Sequence, residues 1–377
     1  MCEEDYRSAE GGLCDEIGKE EWKGHWRWKG WQKAGGRSGL RPAHLKCLVG
    51  RGHWMGEVLR RLCNLTIRWG VRYTAWGVEV MWPLEKVPGV TDIEKQRPIK
   101  LLEVLRKCVS GVLQGRMDRG MEEMGLLDRM QSAFRRERSC EVSLMHMNLA
   151  SEYAAVHSRE MVDQGYDVKR AYDSVEAGMG KEMAWRRMGC GESYIQLQMM
   201  LGECGEQVVG TGFGLSDVVC EEAAQRGEVV VGEGEEEGEE WWRGNGGRGR
   251  AEIGLVQGGS ESPSGWNCLM DMHFWLIREY GVDPLVVEAG GEQEEVWGAG
   301  FADDMRLYNS TLRGAQKSCD ITADFHGVMG LEMACGKCWV RVLEWDEQGE
   351  RVQRSTEEKA PHERVWYRRV ESEEHLK

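Results

Sequence analysis

The sequence predicts a mixed α/β protein of the α+β kind, on three observations. Apolar residues recur at helical spacing over three long stretches, 50–75, 99–117 and 140–162. Shorter apolar runs, at 80–88 and leading up to Asp167, have the length and flanks of strands. The segments EEVWGAG (294–300) and MRLYNS (305–310) flank two adjacent aspartates, Asp303 and Asp304, as the arms of a hairpin.

Each element has a local cause. Residues 19–33 (KEEWKGHWRWKGWQK) set four Trp among basic residues, a composition suited to stacking on single-stranded bases and equally to an amphipathic segment packed on a domain. Met55, Val58, Leu59 and Leu62 recur at three-to-four spacing and predict the first long helix. VMWPLEKVP (80–88) predicts a strand closed by Pro88-Gly89. Ile99, Leu102, Leu105, Val109, Val112 and Leu113 share one face of a second helix. After the third helix, GYDVKRAYDSVE (165–176) reads as a strand running into a turn and a helix. Residues 221–250, rich in Glu, Gly and Arg with little apolar periodicity, read as a flexible insertion. A strand, a Gly-rich loop and a helix opening near Pro263 follow, and beyond Leu343 the chain is charged and poorly patterned. The expected organisation is a partly disordered N-terminal arm over 1–32, one domain over 33–343 with the insertion, and a charged tail over 344–377.

Composition narrows the classes. The 377 residues are 41% hydrophobic and 30% charged, as in a globular protein with a real core. No apolar run approaches the ~20 residues a bilayer needs. The acidic start MCEEDYRSAEGG is not a secretory signal, which predicts an intracellular chain, in nucleus or cytoplasm. The 13 cysteines are scattered, and Cys335 and Cys338, spaced C-x-x-C without a second pair, fit ordinary thiols better than zinc. A net charge of −15 disfavours phosphate binding, but residues 221–240 alone hold −8 of it.

Adjacent carboxylates repel, and a divalent cation removes that repulsion. A third carboxylate would complete a two-metal site for in-line phosphoryl transfer, and Asp167, at the end of its strand, is the best candidate. Alone, the Asp303-Asp304 pair fits a solvated turn and Asp167 fits a helix N-cap.

Order and company distinguish these readings. KAGGRSGLRPAHLK (33–46), PLEKVPGVTDIEKQRPIKLLEVLRK (83–107), QSAFRRERSCE (131–141), YDVKRAYDSV (166–175), QGGSESP (257–263), FADD (301–304) and GLEMACGK (330–337) succeed one another along the chain. These blocks, in this order, resemble the reverse transcriptase domain of non-LTR (LINE-like) retroelements. The resemblance implies a right-hand polymerase fold with palm and fingers and a truncated or absent thumb. It implies an RNA-directed DNA polymerase acting on an RNA template, a DNA primer and dNTPs. Asp167, Asp303 and Asp304 would hold two Mg²⁺ ions, with Mn²⁺ as a substitute, and Lys337 would stand near the pyrophosphate as a proton donor. Tyr172 would crowd a ribose 2′-hydroxyl, a role compatible with being a core aromatic. Gln257 and Gly258 would let backbone approach the nascent pair, and Arg135, Lys86 and Arg97 would meet triphosphate oxygens; each arginine fits a solvated surface position equally.

The match departs from the family in places. Ala133 stands where the family has Gly, Glu137 adds an acid to a basic block, Val256 replaces a proline, Gly265 falls inside a helix and Cys338 replaces a Thr. With the Glu-rich tract and the short remainder after Lys337, this describes a fragment or decayed copy of a retroelement polyprotein. Two further readings therefore stand beside the polymerase: a catalytically silent retroelement-derived domain with at most nucleic-acid binding, and an RNA-directed RNA polymerase, against which Tyr172 and QGGSESP speak.

Overall fold

The computed structural model describes residues 12–27, 33–85, 96–175, 177–202, 206–211, 214–221 and 258–345, the single residues 30, 89 and 255, and the stretches 351–352 and 358–359. Lys86, Gln257, the insertion from residue 222 onward and most of the tail lie outside the described residues. In chain order the helices are α1 (Lys19–Arg27), α2 (Pro42–Gly50), α3 (Trp54–Trp69), α4 (Val104–Glu123), α5 (Cys140–Val156), α6 (Ala171–Ser174), α7 (Met183–Arg187), α8 (Glu192–Gly202), α9 (Ser262–Tyr280) and α10 (Leu312–Met329). The strands are β1 (Val78–Glu85), β2 (Gln96–Leu101), β3 (Met161–Tyr166), β4 (Val168–Lys169), β5 (Glu206–Thr211), β6 (Gly214–Glu221), β7 (Leu285–Ala289), β8 (Glu292–Val296), β9 (Gly298–Phe301), β10 (Asp304–Asn309), β11 (Glu332–Met333), β12 (Trp339–Trp345), β13 (Arg351–Val352) and β14 (Glu358–Lys359). The mixed α+β class read from the sequence is the class observed. Among the described residues no helix is long and apolar enough to cross a membrane.

The chain divides into two units, Met1–Glu123 with Trp185–Ser262, and Met124–Ala184 with Pro263–Lys377. The first is built on a sheet of order β2-β1-β5-β6. Here the expected helix over 99–117 is corrected: Ile99 lies in β2, opposite Trp82 of β1, and the helix begins only at Val104. A short apolar run satisfies either period, and as an edge strand β2 tolerates the N–H that Pro98 lacks. The first long helix is trimmed to α3 by left-handed glycines outside each end, Gly52 (φ 64°) and Gly70 (φ 59°). In the 33–39 block the Ser38 N–H and hydroxyl donate to the Glu103 carboxylate (2.8 and 2.6 Å), and a Cβ on Gly36 would fall 2.7 Å from that carboxylate. The N-terminal segment is packed over residues 12–27: Trp22 and Trp26 are buried in the core. Arg116 bonds Glu21 (2.6 Å) and the Asp15 carbonyl (2.7 Å), and the Ile17 N–H meets Asn64 (2.8 Å). Those two indoles are withdrawn from base stacking.

The second unit is built on a sheet of order β13-β12-β3-β10-β9. Alternation along its strands divides the faces. Met147, Ala150 and Ala154 of α5 join Met161, Ala299, Tyr308 and Leu343 in one apolar cluster. On the other face, Gln164 of β3 donates to the Ala315 carbonyl of α10 (3.0 Å), and Phe274 of α9 sits under Gly300 of β9. The third helix ends at Val156 rather than 162, because Ser158 turns left-handed (φ 47°) and frees Met161 to begin β3.

Between α9 and α10, His273 and His326 are buried with rings 5.9 Å apart, and His273 meets the Thr322 hydroxyl at 3.0 Å. Burial drives the His273 imidazole well below its ordinary range, and drives that of His326 down to about 4. A depressed histidine contributes stability that is complete above its unfolded value near 6.5 and is lost as pH falls towards the folded one. We expect the stability read from urea midpoints to fall between pH 6.5 and 4.5, with His326 contributing on the order of 2 kcal/mol of that fall, and His326→Phe to reduce the pH dependence while His273 keeps the rest. Equal pH dependence in the wild type and the variant would contradict this.

Candidate active site

The site stands at one end of the second unit's sheet. β3 delivers Asp167 immediately after Tyr166, and the turn Ala302-Asp303 joins β9 to β10, which opens with Asp304. β10 runs antiparallel to β3 with Met305 opposite Tyr166, so the next rung carries Asp304 past Asp167 on the same face. Lys337 closes a short helical turn before β12, and that turn is tied down by the Ala334 N–H, which donates to the Asp167 carbonyl (2.8 Å). The Lys337 ammonium pairs with Oδ2 of Asp167.

The electrostatics reflect both burial and the neighbouring charges. Partial withdrawal from water, together with the charges of Asp303 and Asp167, raises the Asp304 carboxyl above its ordinary value; Lys337 and Arg306 oppose the shift. The Asp167 hydrogen bond, with the pull of Asp303 and Asp304, raises the Lys337 ammonium and keeps it charged, and burial opposes this. Tyr172 is half-buried on α6; desolvation, then the charge of Asp303, push its hydroxyl up, so it stays neutral. Its ring lies 5.7 Å from that of Trp266.

The turn that carries Asp303 is held from outside the hairpin. Ala302 is left-handed (φ 56°), a conformation that costs a non-glycine residue on the order of 1 kcal/mol. Buried Gln131 accepts from the Ala302 N–H (3.1 Å) and donates back to its carbonyl (3.3 Å), and the Trp266 indole N–H donates to the same carbonyl (2.8 Å). Backbone bonds Gly300 N–H to Met130 carbonyl (2.7 Å) and Ser132 N–H to Gly300 carbonyl (3.0 Å) lay this segment along β9.

Beside the aspartates, Trp339, Gly165 and Arg306 form a row across β12, β3 and β10. The Trp339 ring covers Gly165, where a Cβ would fall 2.3 Å from the ring, and the Arg306 guanidinium lies 4.8 Å from the ring centre. Beneath them buried Asp163 pairs with Arg341 (2.7 Å) and Arg306 (3.6 Å). A cleft of about 470 Å³ opens between this face and the start of α5; Asp167, Asp304, Arg306 and Lys337 line the sheet side, Cys140 and Leu144 the helix side.

The other expected residues fall elsewhere. Arg135 donates to the carbonyls of Asp128 (2.6 Å) and Gln131 (3.1 Å), bracing the loop that clamps Ala302. Ala133, where the resembled family has Gly, is fully buried; the left-handed residues of that loop are Phe134 and Glu137, so Ala133 bears no backbone strain. Arg97 is exposed on β2, and Gly258 (φ 111°) meets the Lys100 carbonyl, 2.6 Å from where its Cβ would stand; both belong to the first unit. Cys335 and Cys338 are buried thiols bonded to the carbonyls of Met333 and Ala334, and desolvation pushes the Cys338 thiol up to about 11. Sequence reading missed Gln131, Trp266, Trp339 and Arg306. Two signals were available: Gly165, since a glycine inside a strand marks a close approach, and Gln131, which heads the block QSAFRRERSCE.

Three carboxylates offer hard oxygen donors of the kind that suit a cation such as Mg²⁺. As they stand, no three His, Cys, Asp or Glu side chains among the described residues are set to grip an ion, and Asp167 is engaged by Lys337. The donor set fits in chemistry, with Lys337 supplying charge that an ion would bring.

Fold and site together define a mixed α+β protein with an acidic centre at the open end of an antiparallel sheet. Among solved structures it is similar to apo telomerase from Candida tropicalis truncated from its C-terminal domain, with a TM-score of 0.43 and 11% identity over 76% of this chain and 55% of that one. The chain thus spans about half the length of the structure it matches. No protein-family model and no curated protein matches the sequence.

Proposed function

We propose that the chain is the palm and fingers of an RNA-directed DNA polymerase, extending a primer 3′-hydroxyl with dNTPs on an RNA template. The observation that carries this reading is the meeting of Asp167, Asp303, Asp304 and Lys337 at one sheet end, although they are drawn from three separate sequence blocks. In this reading Asp167, Asp303 and Asp304 hold two Mg²⁺ ions, which when bound supply activation of the primer hydroxyl and charge stabilisation at the pyrophosphate. Lys337, kept protonated by its pairing with Asp167, in this reading gives a proton to the leaving group once it exchanges Asp167 for phosphate. Tyr172, whose hydroxyl feels the charge of Asp303, is in this reading the ring that would exclude a 2′-hydroxyl. Lys86, Arg97, Arg135, Gln257 and Gly258 keep their proposed nucleotide-binding roles as the less supported part.

The test is extension of a DNA primer annealed to RNA, in Mg²⁺, with dNTPs and separately with rNTPs. The reading expects extension with dNTPs and its loss in Asp303→Asn. Extension with rNTPs instead would make the chain an RNA polymerase. Extension with neither, on any template or in Mn²⁺, would favour the silent domain.

A further inference from the structure

We propose that Gln131 is a positioning residue for the Asp303-Asp304 turn, its side-chain amide holding Ala302 left-handed and so setting where both carboxylates point. The significance of the turn for chemistry rests on the polymerase reading; the clamp itself is argued from geometry. Two hydrogen bonds run between one buried amide and both backbone groups of Ala302, which orients the peptide planes on either side of that residue as a single bond would not. The same Gln131 oxygen accepts from the Ala133 N–H (3.0 Å), so the amide cannot flip without losing an acceptor. Trp266 supplies a third bond to Ala302 from α9, and its ring neighbours Tyr172. The residue so held is an alanine in a region of backbone space that glycine enters freely and alanine does not. Asp303 follows it directly.

This makes a particular prediction about rescue. Gln131→Met keeps the volume and removes the bonds, so the turn should relax from its left-handed form. Ala302→Gly lowers the cost of that form, so the same Gln131→Met change should matter less in its presence. The experiment is amide hydrogen exchange over residues 299–305 in the full chain, which needs neither metal nor nucleotide and therefore fails or succeeds apart from the polymerase reading.

Gln131→Met is expected to speed exchange there about tenfold, and by less than about threefold in the Ala302→Gly background. Trp266→Phe, which removes the indole donor along with part of a fully buried ring, is expected to shift exchange in the same direction, and Gln131→Glu, which keeps the acceptor and loses the donor, serves if Gln131→Met fails to fold. Unchanged exchange in both single variants, or an equal effect of Gln131→Met with and without Ala302→Gly, would overturn the proposal.

Discussion

Asp304→Asn is expected to lower primer extension by about 10³-fold or more while leaving the folded chain as stable as before or slightly more so. The two halves of this result have separate causes. The carboxylate is one of three that the reading assigns to the metal ions, and losing a ligand removes several kcal/mol of charge stabilisation from the transition state. In the folded protein, however, Asp304 is held among like charges, with its carboxyl raised by partial burial and by Asp303 and Asp167. A group raised in this way is disfavoured in its charged form, so at neutral pH it opposes folding and its neutral amide does not. Its exposure keeps that gain to about 0.5 kcal/mol or less, because water screens the repulsion. A thermal midpoint measured beside the extension assay separates the readings. A large fall in the midpoint would mean that Asp304 is structural.

Gly165→Val is expected to cost about 3 kcal/mol of stability. Gly165 is the penultimate residue of β3, paired with Arg306 on one side and Trp339 on the other, so its backbone cannot easily retreat from the new side chain. A Cβ there would stand 2.3 Å from the Trp339 ring, which must leave its place over the strand. That displacement removes the ring from Arg306, whose guanidinium also faces buried Asp163. Shortening Trp339 should absorb the clash, so Gly165→Val should cost much less in a Trp339→Ala background. Equal costs in the two backgrounds, read from denaturant midpoints, would show that the ring is not what Gly165 accommodates.

The legible part of the fold was the part set by local chemistry. Asp167, Asp303 and Asp304 were visible because strand and hairpin patterns surround them, and the β9–β10 pairing follows MRLYNS as read. The segment EEV of the expected hairpin arm instead belongs to β8, which pairs with β7. Lys337 was visible as a block residue; its bond to Asp167 is a long-range contact that no spacing announces. The strand at Gln96–Leu101 was misread because Ile99 and Leu101 alone do not define a period. Gln131 was hidden for a different reason. A glutamine in a loop has no periodic partner, and its role appears only when Ala302, 171 positions on, is brought against it. Trp339 and Arg306 were hidden likewise, since their neighbourhood is created by the register of three strands.

The central claim is that Asp167, Asp303 and Asp304 act as one divalent-cation site. Its most direct test is titration of the full chain with Mn²⁺, followed by electron paramagnetic resonance, for the wild type and for Asp167→Asn, Asp303→Asn and Asp304→Asn. The account predicts binding by the wild type and a loss of about tenfold or more in affinity in each of the three variants. Binding that survives all three substitutions, or a wild type that takes up no ion even with primer, template and nucleotide present, would contradict it.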